Sequence, residues 1–173
     1  MTVPSAQRQS KIAIVFYSKH HGNTRLLLDT IATKHEVTLI DATEPFDGDL
    51  ASYDLIGFAS GIYCFSFHRS VIRFARQHLP EYKKVFLMFT YGSKRLKRHF
   101  CKRIFNALFE KHAVILGKFG CLGYCTFGPF KLFGGTAQGH PDELDICDAM
   151  DFYESLLVIL SGAFPKGKIE TSI

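Results

Sequence analysis

Four residues suited to holding an anion crowd into "YSKHHGNT" (17–24): Ser18, Gly22, Asn23 and Thr24. An unbroken apolar run, 12–17, leads into this stretch, and Leu27, Leu28 and Ile31 follow Thr24 at i+3, i+4 and i+7. The run has the pattern of a strand buried on both faces, and the spacing that of an amphipathic helix. A helix beginning near Asn23 turns unpaired N–H groups and the positive end of its dipole toward the loop. Hydroxyls at 18 and 24, and a glycine that admits close backbone approach, complete a phosphate cradle. The plainer reading is that Asn23 caps the helix and Gly22 turns the chain; for one turn taken alone, that reading comes first.

Two further strand exits have the same character: "SGIYCFSFH" (60–68) and "TYGS" (90–93), each pairing small or hydroxyl residues with a tyrosine. Other arrangements carry less chemistry. His20 and His21 are adjacent, a poor geometry for chelating one ion, and no Cys or carboxylate cluster accompanies them, so no metal is expected. Donation to phosphate suits them best, then an exposed turn. Cys64 and Arg69 are one residue too close for phosphatase-type thiolate chemistry, and Cys121 and Cys125 read as two free thiols. The stretch 162–169 nearly matches a P-loop, but Ile169 stands where Ser or Thr is needed, and GxGxxG does not occur. No acid, base or nucleophile stands out, so no catalytic residue is named.

These loops must be held by the elements around them. Strands are expected at 12–17, 36–41, 54–60, 84–90 and 113–117, and helices from 24, over 67–78, near 94–112 and from Pro141 to Leu160. Strands alternating with helices argue for an α/β chain: a doubly wound, five-stranded parallel sheet with helices on both faces. In such sheets ligands sit beyond the carboxyl ends of the strands, where the strand order reverses. The stretch 117–140 holds seven glycines and is expected to be one long functional loop. A polar lead-in (1–10) and a tail (166–173) flank a single domain, 11–165.

Composition sets the outer limits. The chain of 173 residues is 47% hydrophobic and 21% charged, which fits one globular domain. Five scattered cysteines without a CxxC pair suit a reducing cytoplasm, and no apolar run is long enough to span a bilayer. The formal net charge of +5 suits acidic or anionic partners. Lys94, Arg98 and Lys102 share one face of the third helix, in a stretch (94–103) with no acid; Leu96, Phe100, Ile104 and Leu108 mark its buried face. Usually such a run is a solvated helix face. It nevertheless follows the third loop directly, with Lys94 and Arg95 where the helix dipole disfavours positive charge, so it is a candidate docking surface. Nucleic acid is not expected as a partner, because the run lacks a recognised module or identifiable stacking aromatics.

With three such loops in order at strand ends, the sequence resembles the flavodoxin-like family. "FYSKHHGNT" is similar to that family's phosphate loop, "GFASGIY" and "FTYGS" to the two loops that hold the flavin ring, and the glycine-rich stretch to the tail of small bacterial members. The resemblance implies strand order 2-1-3-4-5 and non-covalently bound FMN. It places Ser18, His20, His21, Gly22, Asn23 and Thr24 around the phosphate. Ser60, Gly61, Ile62 and Tyr63 would line one side of the ring, with Tyr63 stacking on it, and Thr90, Tyr91 and Gly92 the other. Tyr124 and Phe127 would cover the site. The chain departs from the family's electron carriers in having one more residue between Ser18 and Gly22, and in being basic where they are acidic. The implied role is electron transfer through FMN, with a redox partner protein or NAD(P)H docking on 94–103. An NAD(P)H-dependent reductase of quinones or similar small molecules, and an accessory protein without flavin, are the alternatives.

Overall fold

The computed structural model describes residues 10–19, 21–93, 100–126 and 134–162. Strand β1 (Ile12–Tyr17) is followed by α1 (Asn23–Lys34) and β2 (Thr38–Asp41). Then come β3 (Leu55–Tyr63), the short β4 (Ser66–Phe67), α2 (Arg69–His78) and β5 (Lys84–Tyr91). Finally α3 (Lys102–Glu110), β6 (Val114–Leu122) and α4 (Glu143–Ser161) close the chain. The sheet order is β2-β1-β3-β5-β6, all parallel, with β4 folded back antiparallel on β3. The expected five-stranded order is therefore present, with one hairpin added.

Alternation along the strands divides the core. Ala13, Val15, Ile56, Phe58, Val85 and Leu87 face α2 and α3, where Val71, Phe74, Ile104 and Leu108 meet them. Ile12, Ile14, Phe16, Leu55, Phe86 and Met88 face α1 and α4, against Leu27, Ile31, Met150 and Tyr153. Because both sheet faces are covered, the strands read as continuous apolar runs. Thr24, Leu27, Leu28 and Ile31 are the buried face of α1, as their spacing requires. Phe100, Ile104 and Leu108 are buried likewise; Lys94, Leu96 and Arg98 lie outside the described residues.

Several boundaries differ from expectation. β3 continues through Tyr63 because β4 pairs with its end, Ile62 with Phe67 and Tyr63 with Ser66. Two residues join them, Cys64 (φ 46) and Phe65 (φ 62), both left-handed as a tight hairpin's twist demands. β6 runs nine residues rather than five, because Gly117 and Gly120 do not break it: a side chain on either would collide with the rings of Phe152 and Phe89. The long loop thus begins only at Gly123. Asp142 rather than Pro141 starts α4, in a capping box: Asp145 N–H donates to Asp142 at 2.9 Å and Asp142 N–H to Asp145 at 3.1 Å. In α1 the cap position belongs to left-handed Gly22 (φ 68), which frees the Asn23 side chain for another use.

Gly57 shows how closely the central strands pack. A Cβ there would stand 2.4 Å from the Phe86 ring, which is wholly buried. Gly57→Ala is expected to cost about 1–3 kcal/mol through overpacking, read as a lower urea midpoint with an unchanged m-value.

Candidate ligand site at the carboxyl edge of the sheet

Register brings the three exits together. Tyr17 at the end of β1 pairs with Ser60 of β3, and Gly61 of β3 with Thr90 of β5, so the loops after these strands leave one edge side by side. The strand order reverses between β1 and β3, since β1 leads outward to β2 and β3 leads the other way.

At the β1 exit, Ser18 Oγ accepts from Arg25 N–H at 3.1 Å, serving the start of α1 in place of a cap side chain. His21 (φ 56) and Gly22 (φ 68) are consecutive left-handed residues that curl the loop over this helix start. Asn23 Nδ2 donates to the Tyr124 carbonyl at 2.8 Å. His21 Nε2 lies 2.9 Å from Thr126 Oγ1, and its ring is 4.4 Å from that of Tyr124. Below them the buried hydroxyls of Thr24 and Thr90 share a hydrogen bond of 2.9 Å, tying the first loop to the third. His20 lies outside the described residues.

The other expected residues divide by which way they face. Gly61 and Tyr63 sit together, the phenol folded back toward the glycine, and Tyr63 Oη accepts from Lys19 N–H at 3.3 Å. Ile62 packs against the core on the α2–α3 side. Ser60 is wholly buried; it donates to the Gly61 carbonyl at 2.6 Å and accepts from His68 N–H at 3.0 Å, which locks the hairpin. Tyr91 turns its ring into the core beside Phe89 and Phe100, so what it offers a ligand is main chain. Gly92 is close-packed, since a Cβ there would meet Cys125 Cβ at 2.5 Å and Thr136 Oγ1 at 3.1 Å. Cys125 and Thr136 exchange backbone bonds of 3.0 and 2.8 Å, so the stretch after β6 folds back over the third loop. Phe127 lies outside the described residues.

Sequence reasoning gave no role to Tyr17, His68, Thr126 or Thr136. His68 stacks on Tyr17 at 3.6 Å with planes 9° apart, and Tyr63 meets both edge-on. The quoted β3 exit contains His68, but nothing in its spacing shows the stack. Thr126 and Thr136 reach the site from over a hundred residues beyond Ser18, a separation no local pattern reports. Cys121 is buried and its thiol pushed up to about 12, chiefly by burial, so it does not pair reactively with Cys125. His140, Asp142 and Asp145 come within 4.8 Å of one another among the described residues, but their polar atoms already serve the α4 cap.

Two outcomes follow from these bonds. Thr24→Val leaves the buried Thr90 hydroxyl without its partner and should cost about 1–3 kcal/mol. The Thr24→Val, Thr90→Val pair should cost clearly less than the two single changes summed, measured by denaturant unfolding. The second outcome concerns pH. Burial, then the charges of Arg69 and Lys19, hold His68 below its ordinary value of 6.5. The unfolded chain therefore takes up a proton at a pH where folded His68 stays neutral, so this group's stability is full above 6.5 and drains as pH falls toward the folded value. His68→Asn, which can keep the cap of α2, should flatten the loss of melting temperature between about pH 7 and about pH 5.

Comparison with known proteins agrees with this architecture. The flavodoxin domain family matches residues 14–115. An uncharacterised protein of Methanocaldococcus jannaschii is 40% identical over 147 residues, covering 85% of this chain and 98% of its own. The crystal structure of oxidised flavodoxin 1 from Bacillus cereus superposes with a TM-score of 0.61 at 18% identity, covering 86% of this chain and 97% of that one. A flavodoxin, WrbA-like protein from Agrobacterium tumefaciens does so at 0.61 and 16% identity, over 91% and 100%. The family match spans more than half of the chain and starts inside β1, so the chain belongs to the flavodoxin domain family.

Proposed function

We propose that this protein binds FMN non-covalently at the carboxyl edge of its sheet and passes electrons through it. The observation that carries the reading is the convergence of three loops at adjacent strand ends, one of them wrapped over the start of α1. No acidic residue occupies the first turn of α1, so that turn leaves the positive end of the helix uncompensated. Ser18 and Asn23 supply the side-chain donors and Gly22 the close approach that a phosphate uses there, above the fixed Thr24–Thr90 bond.

The ring side also fits a polar ligand. Thr136 Oγ1, beside Gly92, and Ser66 Oγ, opposite Tyr63, are buried among the described residues without a hydrogen-bond partner. Each stands next to one of the two loops assigned to the ring. Tyr63 offers the flat aromatic surface suited to stacking. When bound, the flavin supplies the redox chemistry, while the chain supplies binding, orientation and electrostatics. Among the described residues no helix is long and apolar enough to cross a membrane.

One observation favours a second reading. Cys125 and Thr136 press on Gly92, and Asn23 and His21 already hold Tyr124 and Thr126. A site roofed this way suits an accessory protein that kept the fold without the flavin.

The visible absorption spectrum of the purified protein separates the two, a yellow protein releasing FMN on denaturation supporting the first and a colourless one that refuses added FMN supporting the second. In the first case Ser18→Ala and Asn23→Ala should each weaken FMN binding by about tenfold or more. Unchanged affinity in both would remove the phosphate assignment. Bleaching by NADPH alone, rather than through an added reductase, would identify a reductase instead of a carrier.

A further inference from the structure

We propose that the groove between α2 and α3 is a docking surface for an acidic protein, whose carboxylates seat on Arg69, Arg73 and Arg103. That this acidic protein is the redox partner rests on the function proposed above; the surface itself does not.

The groove encloses about 440 Å³ and is lined by Arg69, Ile72, Arg73, Arg76, Arg103 and Asn106. The α2 residues fall at i, i+3, i+4 and i+7, so one helix face carries three guanidiniums above an apolar floor formed by Ile72. Arg103 reaches the same groove from the first turn of α3. All four arginines are exposed. Arg76 is paired: its Nε and Nη2 each donate to Glu110 at 3.0 Å, a two-pronged fork on a carboxylate. Among the described residues no carboxylate forms an ion pair with Arg69, Arg73 or Arg103.

Folding does not explain this arrangement. Like charges at i and i+4, as at Arg69 and Arg73, destabilise a helix. Arg69 occupies the first helical position of α2, where the dipole repels a cation, and no acid in that turn offsets it. An incoming carboxylate relieves both costs, and Glu110 on Arg76 demonstrates the fork geometry that such a group adopts in this groove. The surface suits a protein better than a nucleic acid. Its basic face extends only about 10 Å along α2, from Arg69 to Arg76. Glu110 closes one end, and among the described residues no aromatic side chain lines it for base stacking.

Position links the groove to the candidate site. Arg69 follows His68, which is stacked on Tyr17 at the end of β1, so a partner seated on the arginines lies against the edge where the three loops meet.

The test uses the full chain with a fluorescent deca-glutamate peptide at about 20 mM salt, where surface electrostatics are little screened, and a deca-thymidylate oligonucleotide as the rival. The peptide should bind, and Arg73→Glu with Arg103→Glu should weaken it by about tenfold or more. A charge-matched control, Lys34→Glu with Lys84→Glu, alters exposed lysines at the opposite edge of the sheet and should change binding by less than about twofold. If the arginine pair loses its fold by circular dichroism, Arg69→Glu carries the same reading, since an acid suits that first turn. Absence of peptide binding, equal weakening by the arginine and lysine pairs, or tighter binding of the oligonucleotide through the same arginines would each overturn the proposal. Visible spectra of the same samples keep the two readings apart: a yellow protein that ignores the peptide loses only the surface, and a colourless one that binds it keeps only the surface.

Discussion

Burial of both faces of β1, β3 and β5 is the constraint on which everything else in this molecule rests. Helices cover the sheet on each side, so successive side chains along a strand enter one of two apolar cores, and a polar side chain along the way would be stranded. Apart from Lys84 at the exposed start of β5, the polar groups of these strands therefore gather at the carboxyl ends, as Ser60 and Thr90, and both are hydrogen-bonded inside the protein. The loops beyond inherit the chemistry. Their proximity needs no special device, because parallel register delivers neighbouring strand ends to the same edge.

What the loops do with that proximity depends on cross-ties. Thr24 to Thr90 joins the first loop to the third, Lys19 to Tyr63 joins the first to the second, and Asn23 to Tyr124 joins the first to the stretch after β6. Each tie engages a group near where a ligand would sit. The buried Thr24–Thr90 bond is an architectural support, set too deep to be exchanged. The ties of His21 and Lys19 involve exposed residues, and an exposed hydrogen bond costs little to exchange for one to a ligand, since water competes for it in either case. The first loop is thus built on a fixed base with an exchangeable rim.

The fold was legible because its signals were local. Apolar runs at 12–17 and 85–89 and the 24-27-28-31 spacing each report burial without knowledge of any distant residue. The boundaries that differed depended on contacts from elsewhere. β3 is prolonged by pairing with β4, and β6 passes through Gly117 and Gly120 because rings of Phe152 and Phe89 fill the space a side chain would take. Glycine marks a loop when read locally and a close approach when read in three dimensions. The site was legible to the same depth. Ser18, His21, Gly22, Asn23 and Thr24 announced themselves by type and spacing, and all five lie at the start of α1. The inward turn of the Tyr91 ring and the tie to Thr126 depend on packing that no short motif encodes.

The helix starts differ in how their dipoles are met. α4 begins as stability alone would have it, with a reciprocal Asp142–Asp145 capping box and Glu143 adding a further acid to the first turn. α1 and α2 begin at the same edge without an acid in the first turn, and α2 begins with Arg69. Among the described helices only α4 meets its dipole with acids in the first turn; α1, α2 and α3 do not, and two of these open starts bear on ligands, one beside the glycine-bearing loop and the other at the head of the arginine groove. Uncompensated positive ends cost a few tenths of a kcal/mol to about 1 kcal/mol each, small against the buried sheet yet easily removed by a single Asp or Glu. In the reading proposed here both are anion seats, the first for a phosphate held within the domain and the second for carboxylates arriving on another protein. Both fall along the edge to which β1 and β3 deliver their ends, so a bound group and a docked partner would share one edge of the sheet.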